Sequence, residues 1–347
     1  MPLTTLALNR ALLHRQLLLR RHHMPPRAAI EHLVGMQAQE PLAPYTGLWT
    51  RLADFDPDEL SRMTETGEVV RGTLMRRTVH LVTADDYLAL RPVMQDMVER
   101  GYASSPFARQ IAGVDMSELL AAGRALVEEQ PRTTAELREA LGPRWPDADA
   151  ESLAYAVRYH LPLVQLPPRG MWPTRKGHGR ARVTTAEHWI GRPLSPDTQP
   201  QETIRRYLQA FGPATVQDIA AWSGLTKVRE AVDGMELRAD QDGLLDIEDG
   251  PLPDPDTPAP PRFLPPFDNV VLGHKDRSRI VADEDRPRLI ADLGKPMLLV
   301  DGFVRGTWRS ADGRLALEPW HPLTKQEQAA VDEEAERLLA FTPARDA

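Results

Sequence analysis

No cysteine occurs among the 347 residues. That excludes a disulfide framework, a thiolate nucleophile, and zinc or iron–sulfur sites built on cysteine ligands. It is compatible with a reducing cytoplasm. No run approaches the roughly 20 apolar residues of a membrane span. The opening stretch MPLTTLALNRALLHRQLLLRRHH is interrupted by Asn9, Arg10, His14 and Arg15 and lacks a small-residue cleavage site. It does not read as a signal peptide, and a soluble, cytoplasmic protein is expected. Several catalytic signatures are also missing: a GxGxxG loop, a GxxxxGKS/T loop, HExxH, GxSxG and any clear Ser/His/Asp order. His22 and His23 could hold a metal, but a histidine pair at a polar helix end is ordinarily solvated. No metal and no cofactor are expected.

The net charge is -8, which argues mildly against a simple DNA-coating protein. The charges are unevenly sorted, however. VVRGTLMRRTVH carries Arg71, Arg76 and Arg77, and GHKDRSRI carries His274, Lys275, Arg277 and Arg279. The stretch from Arg169 to Arg182 holds Arg169, Arg175, Lys176, Arg180 and Arg182 and no acid. Acids gather elsewhere, as in VDEEAE near the C-terminus. Such sorting can place a basic face on an acidic protein. Each cluster could equally be a set of solvated turns.

The order of elements repeats along the chain. QETIRRYLQAF reads as a helix with Ile204, Tyr207, Leu208 and Phe211 on one side, stopped by Gly212-Pro213. Thr215 and Asp218 form a capping-box-like start for VQDIAAWS, Gly224 ends that helix, and Thr226 is expected to cap a third. A hairpin ending in LLDIE follows. Three short helices and a hairpin are the winged-helix plan. The same order runs through about 115–186, with a capping box at Thr133 and Glu136 and with Leu153, Val157 and Leu161 spaced by four. A looser version opens the chain: helices at about 4–21 and 25–35, two more after them, then VVRGTLMR and TVHLVT as paired strands. After the proline-rich PLPDPDTPAPPRFLPP, strands are expected in FDNVVLG, SRIVAD, KPMLLVDG, FVRGTWRS and RLALEPW, with a turn at Asp301-Gly302 and a helix over about 323–340. The expected fold is α+β and helix-rich. It comprises three tandem winged-helix units (1–110, 111–195, 196–255) and a small C-terminal β-rich module (256–347).

GMQAQEP, at 35–41, places two glutamines one residue apart. In a helix, residues i and i+2 diverge around the axis, whereas in an extended segment they share a face. Gly35 weakens the preceding helix, and Pro41 biases Glu40 away from helical geometry. Gln37 and Gln39 are therefore expected to leave a helix end and point to one side. The competing account is that they cap that helix and bond local backbone. Glu40 is a possible auxiliary base that its place beside Pro41 is expected to turn away.

The succession GMQAQEP, LMRRTVHLV, LPPFDNVVLGHKDRSRI and VDGFVRGTW resembles the AlkZ/YcaQ family of bacterial DNA glycosylases, over about residues 5–320. The resemblance implies tandem winged helices in a C-shaped, concave arrangement around double-stranded DNA and a glutamine-based catalytic motif, here Gln37 and Gln39. The Gln-x-Gln form resembles the branch associated with antibiotic self-resistance, including resistance to azinomycin; the other branch carries aspartate where this chain has Gln39. It implies a monofunctional glycosylase acting on N7-alkylguanine, including bulky or crosslinking adducts, and the basic clusters supply the candidate DNA contacts: Arg71, Arg76, Arg77, Arg169, Arg175, Lys176, His274, Lys275, Arg277 and Arg279. The GHKDRSRI turn would enter or straddle the minor groove. A monomer without membrane association is expected.

The chemistry agrees with neutral amides at such a site. Glycosidic hydrolysis usually needs an acid for the leaving group and a carboxylate for water or the sugar cation. An N7-alkylated guanine already carries positive charge and leaves with little or no protonation. What remains is to align a water and tolerate an oxocarbenium-like sugar. A glutamine carbonyl can accept from the water, and its NH₂ can donate to phosphate or base. The rival reading is a non-catalytic winged-helix transcriptional regulator, and a third is a lesion-binding protein that releases no base.

Overall fold

Local signals start the helices where the sequence places them. The computed structural model describes residues 3–172, 179–311 and 314–342. Thr133 accepts from the Glu136 backbone N–H while the Glu136 carboxylate accepts from that of Thr133, opening the helix Thr134–Leu141. Thr215 and Asp218 exchange the same bonds ahead of Val216–Ser223. Thr324 and Glu327 do so ahead of the last helix, Lys325–Phe341. Each reciprocal pair satisfies two of the backbone donors that a helix start leaves open. The third helix of the 201–248 stretch differs from expectation. It spans Val228–Val232, and Lys227, in left-handed geometry at φ 59°, precedes it with no side-chain cap; Thr226 does not cap it.

The fold is α+β and helix-rich, in two compact units: 57–200 with 223–226, and 1–56 with 201–222 and 227–347. The boundary after Asp56 falls inside the 1–110 span read from the sequence. In the 57–200 unit, the helix Pro57–Thr66 leads to antiparallel strands Val69–Thr73 and Val79–Thr83, with Val70 opposite Val82. The long helix Ala84–Ala103 follows. Helices Met116–Glu129, Thr134–Leu141 and Ala150–His160 come next, then antiparallel strands Leu163–Gln165 and Val183–Thr185. Arg71 pairs with Gln165, so the two hairpins join edge to edge in one sheet. Leu153 and Val157 are fully buried and Leu161 is buried beside them, against Leu119, Val127 and Leu137, as their spacing predicts. Such side chains contribute about 1.5–3 kcal/mol each on burial.

The other unit begins with helices Thr5–Arg15, Pro26–His32 and Ala43–Trp49, the first two shorter than the sequence suggests. Helices Gln201–Phe211, Val216–Ser223 and Val228–Val232 lead to a two-stranded hairpin, Arg238–Ala239 with Leu245–Asp246. Ile204, Tyr207, Leu208 and Phe211 are all buried, and Tyr207 and Phe211 stack at 5.1 Å between centroids. The C-terminal sheet is antiparallel and ordered 314–319, 303–311, 297–300, 262–264. Asp301 and Gly302 both have positive φ, 47° and 81°, as a two-residue hairpin turn of this hand requires. The helix Lys325–Phe341 packs Val331 and Leu338 against Phe263, Leu298 and Trp308.

Two of the expected strands are absent. FDNVVLG contains the short helix Asn269–Leu272, capped by the Asp268 carboxylate, and SRIVAD forms turns. Both runs are apolar enough for a strand, but Asp268 supplies a helix cap at the start of the first. GHKDRSRI therefore does not lie between strands.

Candidate active site

The chain leaves the helix Pro26–His32 through two residues at positive φ, Val34 at 54° and Gly35 at 86°. Val34, β-branched, is strained there; Gly35 is not. Met36–Gln37 then runs extended. Because side chains two apart in an extended segment share a face, Gln37 and Gln39 meet: Gln37 Nε2 donates to Gln39 Oε1 at 2.7 Å. Gln37 is buried at 6 % exposure, whereas Gln39 is exposed. Glu40 is exposed and its side chain bonds neither glutamine.

A small cleft holds Gln37 among Gly35, Met36, Arg51, Asp268 and Asn269. Arg51 and Asp268 form a two-pronged ion pair, Nη2 to Oδ1 at 2.8 Å and Nη1 to Oδ2 at 2.9 Å, both side chains at most 3 % exposed. Arg51 also donates to the carbonyls of Gln16 and Gly47, and Asp268 accepts from the Val270 N–H. Asp268 is thus committed to structure. Asn269 Nδ2 donates to the Gly35 carbonyl at 3.3 Å, tying the start of the glutamine segment to the FDN motif. A Cβ at Gly47 would lie 2.4 Å from Met36 Cε, so the Met36 tip would have to move to admit one. Arg51, Asp268 and Asn269 were not singled out as site residues from the sequence. Arg51 and Asp268 stand 217 positions apart; Asp268 and Asn269 lie in the FDNVVLG stretch that carries the resemblance, and nothing in the sequence marked Arg51.

The basic candidates divide sharply. Arg77 is exposed and Arg76 half-buried, both in left-handed backbone in the turn between Val69–Thr73 and Val79–Thr83. Arg71 is buried on the strand itself. Arg169 is half-buried and donates to the Gly179 carbonyl at 2.5 Å; Arg175 and Lys176 lie outside the described residues. In GHKDRSRI, only Lys275 of the four is exposed, and it donates to Gln217 at 2.9 Å. His274 is buried against the Phe211 carbonyl at 3.0 Å, and Arg279 donates to the Pro213 carbonyl at 2.7 Å. Arg277 is half-buried and donates to the Val271 carbonyl at 3.0 Å. The expected projection of all four basic residues from a hairpin is therefore corrected. Three of them are turned inward because carbonyls of neighbouring helix ends and turns need donors.

Burial also governs the two histidines of these segments. His80 lies directly after the Arg76–Arg77 turn; burial foremost, then the Arg76 charge, lowers its pKa to about 3. Burial, followed by the Arg279 charge, holds His274 well below its ordinary value. Both are neutral at pH 7.

Among the described residues, Glu284, Asp285 and His321 have the chemistry of metal ligands and lie close together. Arg288 Nη1 already stands 3.2 Å from Asp285 Oδ1 and 3.2 Å from His321 Nε2. A guanidinium therefore supplies the positive charge there, and this cluster is read as an ion-pair network. No helix among the described residues is long and apolar enough to cross a membrane.

No curated protein sequence matches significantly. Among solved structures, the Streptomyces sahachiroi DNA glycosylase AlkZ matches with a TM-score of 0.77, covering 99% of this chain and 98% of that one. At 21% identity, that likeness shows a shared fold. The family model described as DNA glycosylase AlkZ-like matches residues 30–341, from before the glutamine segment into the last helix. With nearly the whole chain matched, the protein belongs to the AlkZ-like family of DNA glycosylases.

Proposed function

We propose that this glycosylase is a monofunctional hydrolase of the N-glycosidic bond in N7-alkylguanine, with bulky or crosslinking adducts as its substrates. The observation that carries the reading is the 2.7 Å bond between the Gln37 and Gln39 side chains. It fixes two neutral amides side by side, one buried and one open to solvent. A carbonyl in such a pair accepts from an attacking water and turns its negative end toward the developing sugar cation. No general acid is needed, because the alkylated base departs as a neutral product. A normal, uncharged base would gain little from such a site, so selectivity comes from the substrate's own charge. Release of an adducted guanine would suit repair of alkylation damage or self-resistance to an alkylating antibiotic.

The two runs of three helices and a hairpin, 116–185 and 201–246, support winged-helix units. Arg76 and Arg77 suit phosphate contacts that add affinity without reading sequence. The protein is taken to act as a monomer on double-stranded DNA.

The test is incubation of N7-alkylated duplex with wild type, Gln37→Ala and Gln39→Ala, following free base by chromatography. Wild type is expected to release the adduct, with rates at least tenfold lower in both variants, roughly the loss of one aligned interaction of 1.4 kcal/mol or more. Absence of release by wild type would overturn the substrate; undiminished release by both variants would overturn the site. Binding to one undamaged sequence without excision would point to a regulator.

A further inference from the structure

Arg77 combines three properties that no other basic candidate among the described residues shares. It is exposed, it sits at φ 62° behind a second residue at φ 55°, and its side chain has no hydrogen-bond or ion-pair partner among the described residues. Two consecutive non-glycine residues in left-handed geometry cost free energy, and such strain persists where surrounding structure enforces it. The Leu74 and Met75 carbonyls close the turn by accepting from the Arg77 and Thr78 backbone N–H groups. The turn thereby delivers the Arg77 side chain to one place, the last turns of the helix Ala84–Ala103.

The residue beneath it is Gly101. A Cβ at that position would lie 2.1 Å from Arg77 Nη1, 2.4 Å from Cδ and 2.8 Å from Cζ. The aliphatic stem and the guanidinium therefore both lie directly across the Gly101 backbone, in a gap that any other residue would fill. Near a helix C-terminus the carbonyl ends carry partial negative charge, which attracts a cation; here those of Arg100, Gly101 and Tyr102 already accept from Ser104 and Ser105 and do not take up the Arg77 donors. The neighbouring Arg100 is paired with Asp96, and among the described residues no carboxylate bonds Arg77. A glycine inside a helix costs about 1 kcal/mol relative to alanine. Gly101 accepts that cost two residues before the last helical residue, Ala103, inside the helix rather than at its cap.

We propose that Gly101 is a positioning residue for DNA binding: its missing side chain forms the seat that holds the Arg77 guanidinium ready for a phosphate. The inference rests on the reading that Arg77 contacts the DNA backbone. Pre-seating matters because a free arginine loses side-chain freedom when it binds, and an arginine already held in place loses less.

The experiment measures affinity of the full chain for a short undamaged duplex over a series of salt concentrations, alongside thermal melting. The variants are G101A, G101S, R77A and R77A/G101A. Alanine at 101 improves helix propensity, so G101A is expected to melt at or above the wild-type temperature. Its affinity is nevertheless expected to fall severalfold, with the slope of log K against log salt shallower by up to about one phosphate contact. R77A is expected to show the same loss, and the double variant no further loss, since both changes remove one contact. G101S adds the same Cβ and serves as a second variant with an independent folding check. Wild-type affinity in G101A and G101S alongside weakened R77A would overturn the seat while leaving Arg77 as a DNA contact. Additive losses in the double variant would likewise overturn it. Wild-type affinity and slope in R77A would overturn the underlying reading of Arg77 and the seat together.

Discussion

Two arginine-rich segments of this protein look alike as sequence and differ as structure. LMRRTVH and GHKDRSRI each hold a histidine and at least two basic residues. In the first, the turn leaves Arg77 exposed and unpaired over a glycine. In the second, Arg279 is 4 % exposed and bonded to Pro213, and His274 is 2 % exposed and bonded to Phe211. One segment leaves a guanidinium open to solvent, and the other uses its donors on carbonyls within its own unit. An arginine cluster thus marks a nucleic-acid surface only where the backbone does not already claim its donors.

The largest expected effect lies in the stretch that leads into the second segment. Asp268→Ala would strand the Arg51 guanidinium in a buried site, and breaking such a pair typically costs about 3–5 kcal/mol. Chemical denaturation should show that loss; a midpoint like that of wild type would mean that water or another group replaces the carboxylate. Because Asp268 lines the cleft beside Gln37, excision should fall even at temperatures where the variant remains folded.

Arg279→Ala should come next, at about 1–3 kcal/mol, because the Pro213 carbonyl loses its donor. The melting temperature reports it. Should the variant keep its stability and lose DNA affinity instead, the contrast between the two segments would collapse. R77A is the opposite case, with a stability change within about 0.5 kcal/mol, as for most exposed sites.

A further effect appears only in acid. His80 has a pKa of about 3 in the folded chain and an ordinary value of 6.5 when unfolded. The unfolded chain therefore binds the extra proton between those values, and stability is lost as pH falls from about 6.5 toward 3. Replacing His80 with leucine should flatten the decline of melting temperature over pH 6.5 to 4. An unchanged slope would assign acid sensitivity to other groups, His274 first among them.

Much of the helix pattern was legible because it is local. Thr133 with Glu136, and Thr215 with Asp218, cap helices through bonds spanning three residues, so spacing alone locates them. The face Ile204, Tyr207, Leu208 and Phe211 follows from one helical period, and the Asp301-Gly302 turn from residues that tolerate positive φ. Strand assignments failed at FDNVVLG and SRIVAD, where short apolar runs fit either state and Asp268 began a helix instead. The glutamine pair was legible as a geometry, since i and i+2 share a face only in extended chain, and Gly35 and Pro41 prevent a continuous helix.

The sequence by itself determined the absence of thiol chemistry, several helix starts and the meeting of Gln37 with Gln39, because each depends on residue type or on contacts a few positions apart. Only the tertiary structure decided which charges are free. Arg51 meets Asp268 across 217 positions, Arg279 meets Pro213 across 66, and Arg77 settles over Gly101 on another element. A guanidinium carries five donors wherever it stands. Whether they face DNA or a buried carbonyl is settled by which backbone groups folding leaves without a partner.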